Sequence, residues 1–177
     1  MNQVWASTTK SGKIVALRNL VSSDRESLIK FFSSMSPEAL EWGLPPYSDD
    51  VIDRWINSMQ DRIAIVATYE NAIVGFSMIN KNNRSDRRKG VGELAMYVHQ
   101  NFQNDGIGAL MLDWSLAAAK KESMHKINLY VVAENKIAVH LYAKFGFEKE
   151  GILREAYFGR DKHYHDELIM GKVLSSS

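Results

Sequence analysis

Residues 98 to 111 read VHQNFQNDGIGALM, a strand-like run, a polar turn with two glycines, and the start of a helical pattern. Those residue types in that order suit the binding of an anion. A helix N-terminus presents unpaired N–H groups and a partial positive charge of about half a unit. Gly106 and Gly108 let the backbone curl toward an anion with no Cβ in the way. Strand, glycine turn and helix together predict a phosphate cradle. Two glycines alone are equally consistent with tight packing of a helix on a sheet. The dinucleotide fingerprint needs a third glycine, which the run to Met111 lacks. The nucleotide P-loop needs Gly-Lys-Ser/Thr, which is also absent.

Other chemistry-bearing residues are sparser. His163-Tyr-His165 alternates like a fragment of a metal site, but only Asp166 stands near as a third ligand, so no metal is expected. Arg87-Arg88-Lys89 reads as a solvated loop. The chain has no cysteine, which excludes disulfides, cysteine metal sites and a cysteine nucleophile and suits a cytoplasmic enzyme. A net charge of +1 gives no global field for nucleic acid or an anionic membrane, and no apolar run approaches a membrane span.

The elements that must position these residues follow from periodicity. KIVALRNL (13–20) alternates as a strand, and SDRESLIKFFSSMS reads as a helix capped near Ser23 or Asp24, with Leu28, Ile29, Phe31 and Phe32 on one face. Pro37, Pro45 and Pro46 mark a break before a second helix over SDDVIDRWINSMQ. Strands 62–69 and 72–80 form a hairpin about Glu70-Asn71. A polar loop (82–90) leads to a strand over 90–99 and then to the helix GIGALMLDWSLAAAKKE. KINLYVVA is a buried type of strand, and NKIAVHLYAKF is a helix stopped by Gly146. Two strands, FEKEGILREAYF and HYHDELIMGKVL, close the chain around Gly159-Arg160-Asp161. The order β-α-α-β-β-β-α-β-α-β-β with 177 residues and no linker predicts one mixed α/β domain.

Gln103-Asn104-Asp105-Gly106-Ile107-Gly108 matches the pattern Gln/Arg-x-x-Gly-x-Gly/Ala, and here the chain resembles the GNAT acyltransferases, whose pyrophosphate-binding motif this is. Downstream, NKIAVHLYAKFGFEKEG resembles the second signature of that family. The resemblance covers nearly the whole chain, with a motif core at about 90–150. It implies a mixed, mostly antiparallel central sheet flanked by helices over residues 1–177, and acetyl-CoA as co-substrate. The cofactor-binding residues it implies are Val98, Gln103, Asn104, Asp105, Gly106, Ile107, Gly108, Ala109 and Asn135. Val98 would offer backbone groups to the pantetheine arm or the thioester carbonyl, and Asn135 would bond the arm, cap its own helix, or both. The family usually has a basic residue or glycine where Asn104 and Asp105 stand. Asp105 beside a pyrophosphate is unhelpful, so its carboxylate is expected to turn away and cap the helix.

Acyl transfer from a thioester to an amine raises two proton problems. An amine of pKa ~10.4 is free base in only about one molecule in 2,500 at pH 7, a cost of about 4.6 kcal/mol. The departing thiolate gains from an acid at the sulfur. The resemblance places Tyr142 there as the acid; read alone, Tyr142 is a core tyrosine on an amphipathic helix. Glu93 is the expected base, working through water; read alone, it is a solvent-facing strand glutamate. Alternation puts Val91, Glu93, Ala95 and Tyr97 on one face of their strand and Gly92, Leu94, Met96 and Val98 on the other, with Gly92 a possible bulge.

From Ser36 to Asp61 six acidic residues face one basic residue, −5 locally, which suits a cationic amine acceptor or an ordinary solvated helix pair. FFSSMSPEALEW resembles a stretch of protein lysine acetyltransferases, and FEKEGILREAYFGRDKHYHDELIMGKVL resembles the last hairpin of ribosomal-protein and spermidine acetyltransferases. The expected partners are acetyl-CoA and a primary amine of a protein or small molecule, with a homodimer possible. The competing expectation is a catalytically silent domain that binds CoA as a sensor or scaffold.

Overall fold

A computed structural model describes residues 4–82 and 85–174. Residues 83 and 84 of the expected loop over 82–90, and the chain ends at 1–3 and 175–177, lie outside the described residues. Eight strands form one sheet: β1 (Trp5–Thr8), β2 (Ile14–Asn19), β3 (Arg62–Tyr69), β4 (Ala72–Lys81), β5 (Val91–Val98), β6 (Lys126–Val132), β7 (Glu148–Phe158) and β8 (Tyr164–Val173). Their spatial order is β1-β2-β3-β4-β5-β6-β8-β7. Every neighbouring pair is antiparallel except β5 with β6.

Among the described residues four α-helices cover the sheet: α1 (Arg25–Ser33), α2 (Asp49–Asn57), α3 (Ile107–Lys121) and α4 (Lys136–Lys144). One face of the sheet buries Leu94, Ile127, Leu129 and Met170 against Leu112 and Leu116 of α3 and Tyr142 of α4. The other buries Val66, Phe76 and Met78 against Leu28, Phe31 and Phe32 of α1 and Ile52 of α2. Each fully buried aliphatic or phenylalanine side chain stabilises by roughly 1.5–3 kcal/mol, so these layers hold the sheet rigid between them.

Local signals place most boundaries. Glu70 and Asn71 take φ of 48° and 66°, the left-handed pair that a two-residue hairpin needs. Gly146 ends α4 at φ 79°, with Phe147 N–H returning to Tyr142 O at 3.0 Å. Asp24 starts α1, its carboxylate accepting from Val21 N–H at 2.9 Å and pairing with Arg18. Two expectations are corrected. β1 was absent from the sequence reading; it is four residues long and pairs only with β2. Gly92 is no bulge, because the β4–β5 ladder runs unbroken from Gly75↔Val98 to Lys81↔Gly92. A Cβ at Gly92 would lie 2.5 Å from Met124 Cε and 2.6 Å from Ile79 Cγ2, so glycine there serves close packing.

Candidate active site

The site begins where two strands part. β5 and β6 pair only at Val91↔Lys126, Gly92↔Ile127 and Glu93↔Asn128. Beyond Glu93 the two strands diverge and leave a seam through the middle of the sheet. His99 N–H bonds Val74 O at 3.0 Å, so antiparallel alternation turns the Val98 N–H away from β4 and toward the seam. The Val98 carbonyl is already engaged, accepting from Gln103 Nε2 at 3.1 Å.

The chain leaves β5, makes one short turn at Gln100–Phe102, and enters α3. Asn104 and Gly106 take φ of 60° and 90°. The first intrahelical bond is Leu110 N–H to Gly106 O at 3.1 Å, so the N–H groups of Ile107, Gly108 and Ala109 lie ahead of the ladder. The two glycines have different reasons to be there. Gly106 is required by its φ, since a Cβ would meet nothing closer than Lys10 Cγ at 3.7 Å. Gly108 faces the seam, and a Cβ there would lie 3.4 Å from Leu141, 3.7 Å from Met96 and 3.9 Å from Val98. Lys10, in the β1–β2 turn, is the residue that sequence reasoning missed. Its side chain lies beside Gly106 and brings a cation to the cradle from 96 positions away in the chain.

Asp105 does turn its carboxylate away, but it caps nothing on α3, where Gly106 holds the N-cap position with no side-chain bond. Instead it accepts from Ser11 N–H at 2.7 Å and Ser11 Oγ at 2.6 Å, with Lys13 Nζ at 3.6 Å. The bonds from Ser11, with help from Lys13, hold its acid well below the usual range, at about 2. Lys10 N–H bonds the Asp105 carbonyl at 3.1 Å, so the β1–β2 hairpin is fastened to the cradle. A depressed folded pKa means stability that is present above the unfolded value of about 3.9 and lost as pH falls toward about 2. Asp105→Asn should therefore lower the melting temperature at pH 6 and narrow its gap to the parent as pH falls from about 4 to about 2. A gap that stays constant over that window would show that the carboxylate charge contributes nothing.

Asn135 caps α4, its Oδ1 accepting from Ala138 N–H at 3.2 Å, which leaves Nδ2 available. Tyr142 of α4 is only 7% exposed, and burial alone pushes its phenol up to about 12, with no hydrogen-bonding partner contributing. Its oxygen is not sealed in, because Asn128 Oδ1 is the one buried, unpartnered side-chain polar atom among the described residues. Glu93 is exposed on the opposite face from Leu94 and, among the described residues, no bond or ion pair engages its carboxylate. Glu167 of β8 lies near it, half-buried, its acid raised by burial and then by the charge of Glu93. Tyr142 and Glu93 thus lie on opposite faces of the sheet.

Other flagged residues are engaged elsewhere. His165 bonds Asp161 at 3.0 Å and packs edge-on against Trp42, whereas His163 is exposed. Among the described residues no group of three or more His, Cys, Asp or Glu could hold a metal. Asp53 and Asp49 of α2 lie 2.5 Å and 3.8 Å from Arg25, so part of the local negative charge is already matched within the helix pair.

Residues 26–147 match the family model of the Acetyltransferase (GNAT) family. The chain is 26% identical over 163 residues to the L-amino acid N-acetyltransferase AaaT of Escherichia coli, covering 90% of this chain and 98% of that one. It is 27% identical over 126 residues to the spermidine N(1)-acetyltransferase of Vibrio cholerae, covering 66% and 69% respectively. The structure of yncA from Salmonella typhimurium with its cofactor acetyl-CoA superposes with a TM-score of 0.78 at 18% identity, over 92% of this chain and 95% of that one. A seam opened between β5 and β6, a glycine cradle at the head of α3 and a family match running through both have one explanation: the chain belongs to the GNAT family of acetyltransferases.

Proposed function

We propose that this protein transfers the acetyl group of acetyl-CoA directly to a primary amine. The observation that carries the reading is the seam itself, with unpaired N–H groups at one end. A pyrophosphate fits the N–H groups of Ile107, Gly108 and Ala109, with Lys10 as an added cation beside Gly106. Gln103, Asn104 and Asp105 shape that turn, Asp105 through the β1–β2 hairpin. The Val98 N–H and Asn135 Nδ2 are donors suited to the amide and carbonyl groups of an extended pantetheine arm. That yncA was solved with acetyl-CoA on the same fold supports this choice of co-substrate.

In the reaction a C–N bond forms as the C–S bond breaks. The ammonium gives up two protons, one ending on the thiolate and one in solvent. In this reading Glu93 passes a proton from the amine to water, and Tyr142 donates toward the sulfur. The relatives named above act on an amino acid and a polyamine, and both are amines. Glu93 and Glu167 together favour an acceptor that arrives as a cation.

The test is thiol release from acetyl-CoA against a panel of amino acids, polyamines and peptides, with the acetylated product identified by mass. Release that depends on an amine is expected. Tight binding of acetyl-CoA with no release for any amine would favour the silent CoA-binding domain. Glu93→Gln should slow turnover most near pH 7. Its deficit should shrink as pH approaches the amine's own pKa of ~10.4, where free amine no longer has to be generated. A deficit equal at all pH values would remove Glu93 from the proton path.

A further inference from the structure

Four tyrosines from four elements lie near one another: Tyr47 from the segment before α2, Tyr97 from β5, Tyr142 from α4 and Tyr157 from β7. Tyr97 lies near each of the other three, its ring centroid 5.3 Å from that of Tyr47. Their hydrogens are not equally engaged. Tyr157 donates to the carbonyls of Glu41 and Gly43, each at 2.8 Å. Tyr47 accepts from Leu44 N–H at 2.7 Å and donates to Tyr97 Oη at 3.1 Å. Tyr97 has therefore received a hydrogen bond, yet among the described residues nothing accepts its own hydrogen. The same holds for Tyr142. Neither oxygen is a buried, unpartnered atom, since Tyr97 already has Tyr47 and the Tyr142 oxygen is not sealed in, so both hydrogens remain free for acceptors that a ligand brings. Burial pushes both phenols up, and both keep their hydrogens throughout the ordinary pH range.

A thioester carries two atoms that gain electron density during acyl transfer, the sulfur and the carbonyl oxygen. The proposed role of Tyr142 is at the sulfur. The amine nitrogen is not a suitable partner for Tyr97, because a donor there would tie up the lone pair that must attack. Tyr97 immediately precedes Val98, whose N–H is turned into the seam. Meeting at one oxygen, the Tyr97 hydroxyl and the Val98 N–H would make a two-donor hole of the kind that stabilises an oxyanion.

We propose that Tyr97, oriented by the Leu44–Tyr47 chain, donates its hydrogen to the thioester carbonyl oxygen. This rests on the acetyltransferase reading and adds a catalytic residue to it; Tyr47 is its positioning residue. The geometry joins β5 to the segment between α1 and α2, so the acceptor side of the molecule also tunes the electrophile.

Infrared difference spectra of bound acetyl-CoA, with and without ¹³C at the acetyl carbonyl, test the inference without turnover. In the parent the carbonyl band should lie below its position in free acetyl-CoA. Tyr97→Phe should return it toward the free value, change Kd by less than about 3-fold and lower kcat by about 10²-fold. Tyr47→Phe keeps the Tyr97 hydroxyl but releases its orientation, so the band should broaden and relax part of the way. A band in folded Tyr97→Phe that stays where the parent has it overturns the proposal while leaving the acetyltransferase reading intact. So does a parent band already at the free position. Should Tyr97→Phe not fold, an unchanged band in Tyr47→Phe overturns it equally. A parent that gives no bound band at all overturns the acetyltransferase reading and this proposal with it.

Discussion

Tyr142→Phe is expected to lower kcat by about 10²–10⁴-fold while leaving the Kd for acetyl-CoA nearly unchanged. That loss corresponds to roughly 2.7–5.5 kcal/mol of transition-state stabilisation. Among the described residues the hydroxyl has no hydrogen-bond partner, so its removal breaks no bond seen to hold the fold. The ring stays, and with it the edge-to-face contact with Phe147 at 5.8 Å. The melting temperature should therefore match the parent's or rise slightly. A phenol held at about 12 remains protonated wherever an amine substrate would be assayed, so the deficit should be flat from about pH 6 to 10. That flatness separates Tyr142 from Glu93, whose deficit is expected to shrink as pH rises. Pre-steady-state thiol release is the direct measurement. A Tyr142→Phe enzyme with parental kcat would remove the hydroxyl from the chemistry, and a loss confined to Kd would make it a binding group.

The second large effect is expected at Gly108. Gly108→Val should weaken acetyl-CoA binding by about 10–100-fold, with little change in the melting temperature of the ligand-free protein. The added Cβ sits at ordinary van der Waals distance from Leu141, Met96 and Val98, side chains that can yield to the two methyls it carries, whereas a ligand in the seam would lose that space. Within a helix, valine is no worse than glycine, which costs about 1 kcal/mol relative to alanine. Gly106→Val is a poorer probe, since φ of 90° strains any residue with a Cβ and the fold itself would respond. Calorimetric titration of acetyl-CoA into both variants, with parallel thermal melts, makes the comparison. Parental affinity in Gly108→Val would place the pantetheine somewhere other than this seam.

Much of the fold was legible because its signals are local. Asn135 and Gly146 bracket α4 by a cap and a left-handed stop, and Glu70-Asn71 sets the β3–β4 hairpin. Alternation along β5 correctly separated Leu94 and Met96 from Tyr97, which pack on opposite faces of the sheet. What was not legible depends on partners far away in sequence. Asp105 meets Ser11 across 94 positions, and nothing in NDGIG indicates that its charge would be absorbed by an N-terminal hairpin. Lys10 reaches the cradle only because that hairpin exists, and β1 is too short and too exposed to announce it. Tyr97 reads as one more aromatic on a strand. Its unengaged hydrogen becomes visible only once Tyr47, 50 positions earlier, is seen to have filled the other side of the oxygen.

The parting of β5 and β6 has a consequence for how the protein behaves without ligand. A continuous sheet shields its interior strands from solvent exchange, but here two central strands each carry a stretch of main chain with no strand partner on one side among the described residues. The molecule therefore contains a pair of edges in its middle, flanked by its most deeply packed layers. Amide exchange should be slow at Val91–Glu93 and fast a few residues further along the same strand, at Met96 and Val98. An occupant lying in the seam would take the place of the absent strand and slow those amides together with the first turn of α3. Ligand binding in this fold is in that sense the last pairing step of the sheet, supplied from outside the chain.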